Sequence, residues 1–68
     1  MDLPNEIVRL RHQRGLTIRQ LAEKTGYNKS NLSLIEQGKR RPRIDVLENI
    51  LKALGAELTI TEMEEGGN

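Results

Sequence analysis

TIRQLAEKTGYNKSNLSLIEQG, residues 17–38, holds two short helices and the turn between them. Thr17 with Gln20 three positions on forms a capping box, in which side chain and backbone satisfy each other's free donors. Leu16 before the cap and Leu21 behind it have the spacing of a hydrophobic staple. Leu21 and Ala22 form the buried edge, and Ala22 is small where a second helix must cross closely. Gly26 can take the left-handed conformation that ends a helix without the steric cost of a Cβ. Asn28 caps the next helix, and Tyr27 with Leu32 repeats the staple. Leu32 and Ile35 give that helix its inward edge, which leaves Lys29, Ser30, Ser33 and Leu34 pointing away.

A helix, a glycine turn and a second helix with a polar outer face make the helix-turn-helix pattern. Thr17, Leu21-Ala22, Gly26, Leu32, Ile35-Glu36 and Gly38-Lys39 resemble the core of the Cro and phage-repressor (XRE-type) helix-turn-helix proteins over about the first 55 residues. The resemblance implies an all-α fold, a four-helix lambda-repressor-like DNA-binding domain. A plain helical bundle with a glycine turn is the alternative.

The composition sets bounds. Sixty-eight residues make one domain with a core near the lower limit for a chain folding alone. With no cysteine, neither disulfides nor thiolate-bound metal can staple it, so oligomerisation is expected. A single tyrosine argues against base stacking on single strands. No apolar run approaches a membrane span and no signal-peptide core is present, which predicts a cytoplasmic protein. The net charge of +1 hides a split: residues 1–43 carry ten Lys or Arg against four acids, +6, and residues 44–68 carry one Lys against six acids, −5. Such a separation points to a polyanion-binding face with an acidic end turned elsewhere; ordinary solvated surface is the bland alternative.

Before the central stretch, Asp2 is placed to cap a first helix that tolerates Pro4 in its first turn. Leu3, Ile7 and Leu10 form its apolar stripe, and Gly15 ends it. The resemblance implies that Arg11 pairs with Glu36, tying this helix to the end of the third; a solvated arginine is the alternative. His12, the only histidine, sits among charged residues and is assigned no role. After the third helix, Lys39, Arg40, Arg41 and Arg43 flank Pro42 in a rigid basic loop. Ile44 to Leu54 reads as a fourth helix, with Leu47, Ile50, Leu51 and Leu54 following the i, i+3, i+4, i+7 template. Asp45 and Lys52 suit its two ends, and Gly55 stops it.

Then the period changes. Glu57-Leu58-Thr59-Ile60-Thr61 alternates polar and apolar residues, a short strand signal. A lone strand cannot satisfy its backbone, and no other stretch looks like a partner, so the same strand of a second copy is the simplest one. Leu58, Thr59 and Ile60 are the expected dimer strand, and here the chain resembles HipB-type antitoxins. An extended tail lying on its own domain is the rival. The expected organisation is therefore a DNA-binding domain over 1–55, a dimerisation strand over 56–62 and a disordered tail over 63–68.

The resemblance implies double-stranded DNA as the partner, read in the major groove by Asn28, Lys29, Ser30, Ser33 and Leu34. Lys29 would take guanine O6 and N7, the serines specify weakly, and Leu34 either packs on a thymine methyl or shields the helix edge. Thr17, Arg19, Asn31, Lys39, Arg40 and Arg41 are the expected phosphate contacts. One departure stands out: the family often has a backbone-contacting glutamine directly after the Thr17 position, and here it is Ile18. Either that contact is lost or Arg19 replaces it.

No nucleophile–histidine–acid set, metal-spaced cluster or phosphate-binding glycine loop exists in the sequence, which argues against an enzyme and against any cofactor. The expected function is a sequence-specific transcriptional regulator, a repressor acting as a homodimer on an inverted repeat. A HipB-like role as antitoxin to a HipA-like toxin kinase is compatible with it. A free-standing regulator without a toxin, or an antitoxin working mainly through protein contact, is the alternative.

Overall fold

The computed structural model describes residues 2–59, which form four helices: α1 (Leu3–Gln13), α2 (Ile18–Thr25), α3 (Lys29–Glu36) and α4 (Ile44–Ala53). The architecture is all-α, and no strand occurs among the described residues.

The first three helices begin where their caps demand. The Asp2 carboxylate accepts the Asn5 backbone N–H at 3.4 Å and the Asn5 side-chain amide at 2.7 Å, and Pro4 sits in the first turn of α1. At α2 the Gln20 N–H donates to Thr17 Oγ1 at 3.1 Å, while the Thr17 N–H donates to Gln20 Oε1 at 2.8 Å, closing the expected capping box. Gly26 ends α2 at φ +78°, its N–H donating to the Ala22 carbonyl at 2.8 Å. A Cβ there would meet nothing within 4 Å, so the backbone angle alone demands glycine. Asn28 Oδ1 then accepts from the N–H groups of Ser30 at 2.7 Å and Asn31 at 3.4 Å, which opens α3.

α2 packs against both α3 and α4, and α1 packs against α3. Ile7, Leu21, Ala22, Leu32, Ile35, Leu47, Ile50, Leu51 and Leu54 make one buried cluster, ringed by the half-buried Leu3, Leu10, Leu16, Ile18 and Tyr27. Ile7 is thus the buried member of the α1 stripe, with Leu3 and Leu10 at its margin. Leu54 follows the last helical residue yet is 1% exposed, and it completes the stripe of α4. Each fully buried Leu or Ile contributes about 1.5–3 kcal/mol, enough for a handful to hold four short helices together.

Long side chains tie the helices where the core is thin. Arg11 donates to Glu36 from Nε at 2.7 Å and from Nη2 at 3.0 Å, and its Nη1 reaches the Leu16 carbonyl at 2.9 Å. Arg11 therefore fixes the entry to α2 and the end of α3 together. Arg14 Nε donates to the Leu54 carbonyl at 2.8 Å, joining the end of α1 to the end of α4. Beyond α4 the Ala56 N–H returns to the Leu51 carbonyl at 2.8 Å. Of the expected dimer strand, Leu58 and Thr59 are exposed and in no regular structure, while Ile60 and the tail over 63–68 lie outside the described residues.

Candidate nucleic-acid interface

α3 exposes one side because Leu32 and Ile35 are spent on the core. Lys29, Ser30, Ser33 and Leu34 line a single shallow depression on the opposite side. Lys29 and Ser30 are exposed, and Ser33 and Leu34 are half-buried. The depression thus offers a cation, two hydroxyls and an apolar edge, the chemistry needed for guanine acceptors, mixed donors and acceptors, and a thymine methyl.

One more residue belongs to this face. Gln37 is exposed, one turn past Ser33, and its Nε2 donates to Ser33 Oγ at 2.9 Å. The amide both orients that hydroxyl and extends the polar surface. Its i+4 spacing from Ser33 was the available signal, and inspection of the helix start alone passes over it.

Asn28, expected among the base readers, has its carbonyl oxygen committed to the cap of α3. Its two amide hydrogens are what it can offer a base or a phosphate. Tyr27 is tied down as well: Asn49 Nδ2 donates to its hydroxyl at 2.7 Å, joining the turn to α4. The start of α3 is thereby held from two sides.

A second groove runs beside this face. Asn28, Asn31, Arg40, Arg41 and Arg43 line it with Tyr27 and Val46, and no acid joins them among the described residues. Arg40 Nη1 donates to Asn31 Oδ1, linking the basic loop back to the third residue of α3. Arg43 lies 3.9 Å from Asp45, with both side chains largely in water. Lys39 and Arg41 are exposed and form no ion pair among the described residues. The loop therefore keeps most of its positive charge for a partner.

At α2 the capping box consumes the Thr17 N–H, leaving those of Ile18 and Arg19 as the free donors of the helix start. Thr17 and Arg19 are exposed there. Ile18 packs against the core, so the polar contact that a glutamine at its position would make is absent, and Arg19 is the adjacent charged group. The expected phosphate contacts thus fall in three places, the start of α2 (Thr17 and Arg19), the first turn of α3 (Asn31) and the loop after α3 (Lys39, Arg40 and Arg41), beside the outer side of α3.

Among the described residues no group of His, Cys, Asp and Glu is arranged to hold a metal ion, and no helix is long and apolar enough to cross a membrane.

Comparison with known proteins agrees with the four-helix fold. The family described as a helix-turn-helix domain matches residues 5–65. The HTH-type transcriptional regulator PuuR of Escherichia coli is 42% identical over 50 residues, covering 74% of this chain and 27% of PuuR. Among solved structures, an HTH_3-family transcriptional regulator from Vibrio cholerae superposes with a TM-score of 0.77 at 36% identity, covering 82% of this chain and 32% of that one. The clp gene regulator ClgR from Corynebacterium glutamicum superposes with a TM-score of 0.79 at 30% identity, covering 82% and 60%. The chain spans 36% and 27% of the length of the curated relatives that it matches first.

Proposed function

Because the chain belongs to the helix-turn-helix domain family, we propose that it is a sequence-specific transcriptional regulator that represses as a homodimer on an inverted-repeat operator. The observation that carries this is the joint placement of the Lys29–Ser30–Ser33–Leu34 depression and the acid-free groove of Arg40, Arg41 and Arg43. An α-helix fits the major groove, so the first feature reads base edges while the second follows the phosphates. Lys29 takes guanine, and Ser30, Ser33 and the amide of Asn28 add weaker contacts. Thr17, Arg19, Lys39, Arg40 and Arg41 set affinity and register.

Two exposed large hydrophobic residues, Ile44 at 63% and Leu58 at 37%, support self-association, as does the small core. Two copies place their α3 helices about 34 Å apart, one turn of the duplex. Bound over a promoter, such a dimer blocks polymerase by occupancy alone. A HipB-like antitoxin role, with a HipA-like toxin kinase as partner, draws on the segment around Leu58–Ile60, and a toxin-like reading frame beside this one is the observation that would favour it.

The test is selection of bound duplexes from a random library, followed by fluorescence anisotropy on the enriched sequence across a salt series. Recovery of an inverted repeat, with a steep salt slope and resistance to unrelated duplex, is the expected result. Enrichment of no sequence would remove specific recognition from the proposal, and sedimentation of a monomer at working concentration would remove the dimer.

A further inference from the structure

We infer that Asn31 acts on DNA through Arg40, as its positioning residue, an inference that rests on the DNA-binding function proposed above. Asn31 is the third residue of α3, on a turn held by the Asn28 cap, so its side chain starts from a fixed backbone. Its Oδ1 is the acceptor for Arg40 Nη1. A phosphate oxygen is itself only an acceptor, so the Asn31 carbonyl oxygen, filled by arginine, has nothing to offer it. A direct contact would have to come from the two amide hydrogens, which the additivity test below separates from positioning. Arg40 has five N–H donors and spends one here, which leaves four and its whole charge facing the groove shared with Arg41 and Arg43.

The residue type matters. Arginine loses much rotamer freedom on binding, and a contact already made in the free protein removes part of that loss. An acid at position 31 would hold Arg40 equally well but cancel the charge that displaces counterions from DNA. Asparagine orients the guanidinium and leaves its charge intact. The backbone supports the same geometry: the Lys39 N–H bonds the Leu34 carbonyl at 2.9 Å, and the Gly38 N–H bonds the Ile35 carbonyl at 3.1 Å. The loop thus leaves α3 on a fixed path, and Pro42 stiffens it further on.

The experiment is anisotropy of a labelled mixed-sequence duplex of about 20 base pairs, chosen because phosphate contacts do not depend on base identity. The full chain is titrated over a salt series as wild type, Asn31→Ala, Arg40→Ala, the double variant and Asn31→Asp. Asn31→Ala is expected to weaken binding about three- to tenfold. In the double variant the loss should equal that of Arg40→Ala alone. Asn31→Asp should lower the slope of log K against log salt by about one, as Arg40→Ala does. Losses that add in the double variant would show that Asn31 touches DNA by itself and would overturn the inference. An Arg40→Ala protein that binds like wild type, while Arg41→Ala is weakened, would overturn it too and leave the DNA-binding function standing. A wild-type protein that binds no duplex would bring down both. Should Asn31→Ala fail to fold, Asn31→Ser, alone and combined with Arg40→Ala, supplies the same additivity test.

Discussion

Arg11 and the arginines of the 39–43 loop are the same residue put to opposite uses. The Arg11 side chain is 13% exposed, and its partner Glu36 is 10% exposed. Both oxygens of the carboxylate and the Leu16 carbonyl take up its donors, so its charge is consumed within the fold. In the loop, Arg40 leans on a neutral amide, Arg43 has a loose and solvated acid, and Arg41 has no ion-pair partner among the described residues. The difference teaches how one domain separates stability from affinity. A charge inside the scaffold is cancelled because an uncompensated one there costs several kcal/mol, and the loop charges proposed to meet DNA are left uncancelled, as counterion release requires. α3 carries both arrangements: the Glu36 clamp fixes its last residue, and its outer side and the following loop remain open.

The sharpest way to break this contrast is to remove each kind of arginine and measure folding. Arg11→Ala should destabilise the protein by about 3 kcal/mol in urea denaturation, since Glu36 is left partly buried and unpaired. That loss approaches the whole stability of a small domain, so much of the variant should be unfolded at room temperature. Arg11→Lys should recover only part of the loss, because a point charge cannot make the two-pronged contact. Arg41→Ala should move stability by less than about 0.5 kcal/mol. Equal destabilisation by Arg11→Ala and Arg41→Ala would erase the distinction between the two groups.

The contrast sharpens within the exposed face. Lys29→Ala should remove about 1–3 kcal/mol of discrimination at one base pair, read as a selected operator that becomes degenerate at that position. Arg41→Ala should instead weaken every duplex alike, by about threefold, with the salt slope lower by about one. The pair of measurements separates base reading from backbone holding. A Lys29→Ala protein that weakens on all sequences equally would place Lys29 with the loop arginines.

Most of the scaffold was legible because its rules are local. The caps at Asp2, Thr17 and Asn28 act over two or three residues, and the stripe of α4 repeats within one helix, so spacing alone locates them. Arg11–Glu36 spans 25 positions and was expected only through the resemblance. Arg14 to the Leu54 carbonyl spans 40 positions and Asn49 to Tyr27 spans 22, and neither was foreseen. Such pairs depend on how whole helices are placed, and a polar side chain on a helix carries no mark of which distant group it will meet. The outward residues of α3 were legible for the converse reason, because they are what the inward stripe leaves over. The capping box at Thr17 occupies the Thr17 N–H and leaves those of Ile18 and Arg19 as the free donors at the start of α2.

The smallest effect expected concerns Arg9, which is paired like Arg11 but exposed like Arg41. Its Nη2 lies 2.6 Å from Glu6 Oε1, with side chains 56% and 42% exposed. The hydrogen bond from Arg9, then the nearby positive charge, hold the Glu6 carboxyl below its ordinary range, against a slight opposing effect of burial. A carboxyl lowered in the folded state stabilises it at pH above the unfolded value, about 4.3, and that contribution disappears as pH falls through the folded value. Wild type should therefore exceed Glu6→Gln slightly in urea midpoint near pH 7, and the gap should close as pH falls through the folded value. Because water surrounds the pair, added salt should shrink the gap as well, whereas the Arg11–Glu36 clamp should hardly respond. A gap that survived both acid and salt would mean that Glu6 acts through packing on α1, and that pairing without burial differs less from pairing with it than Arg11 implies.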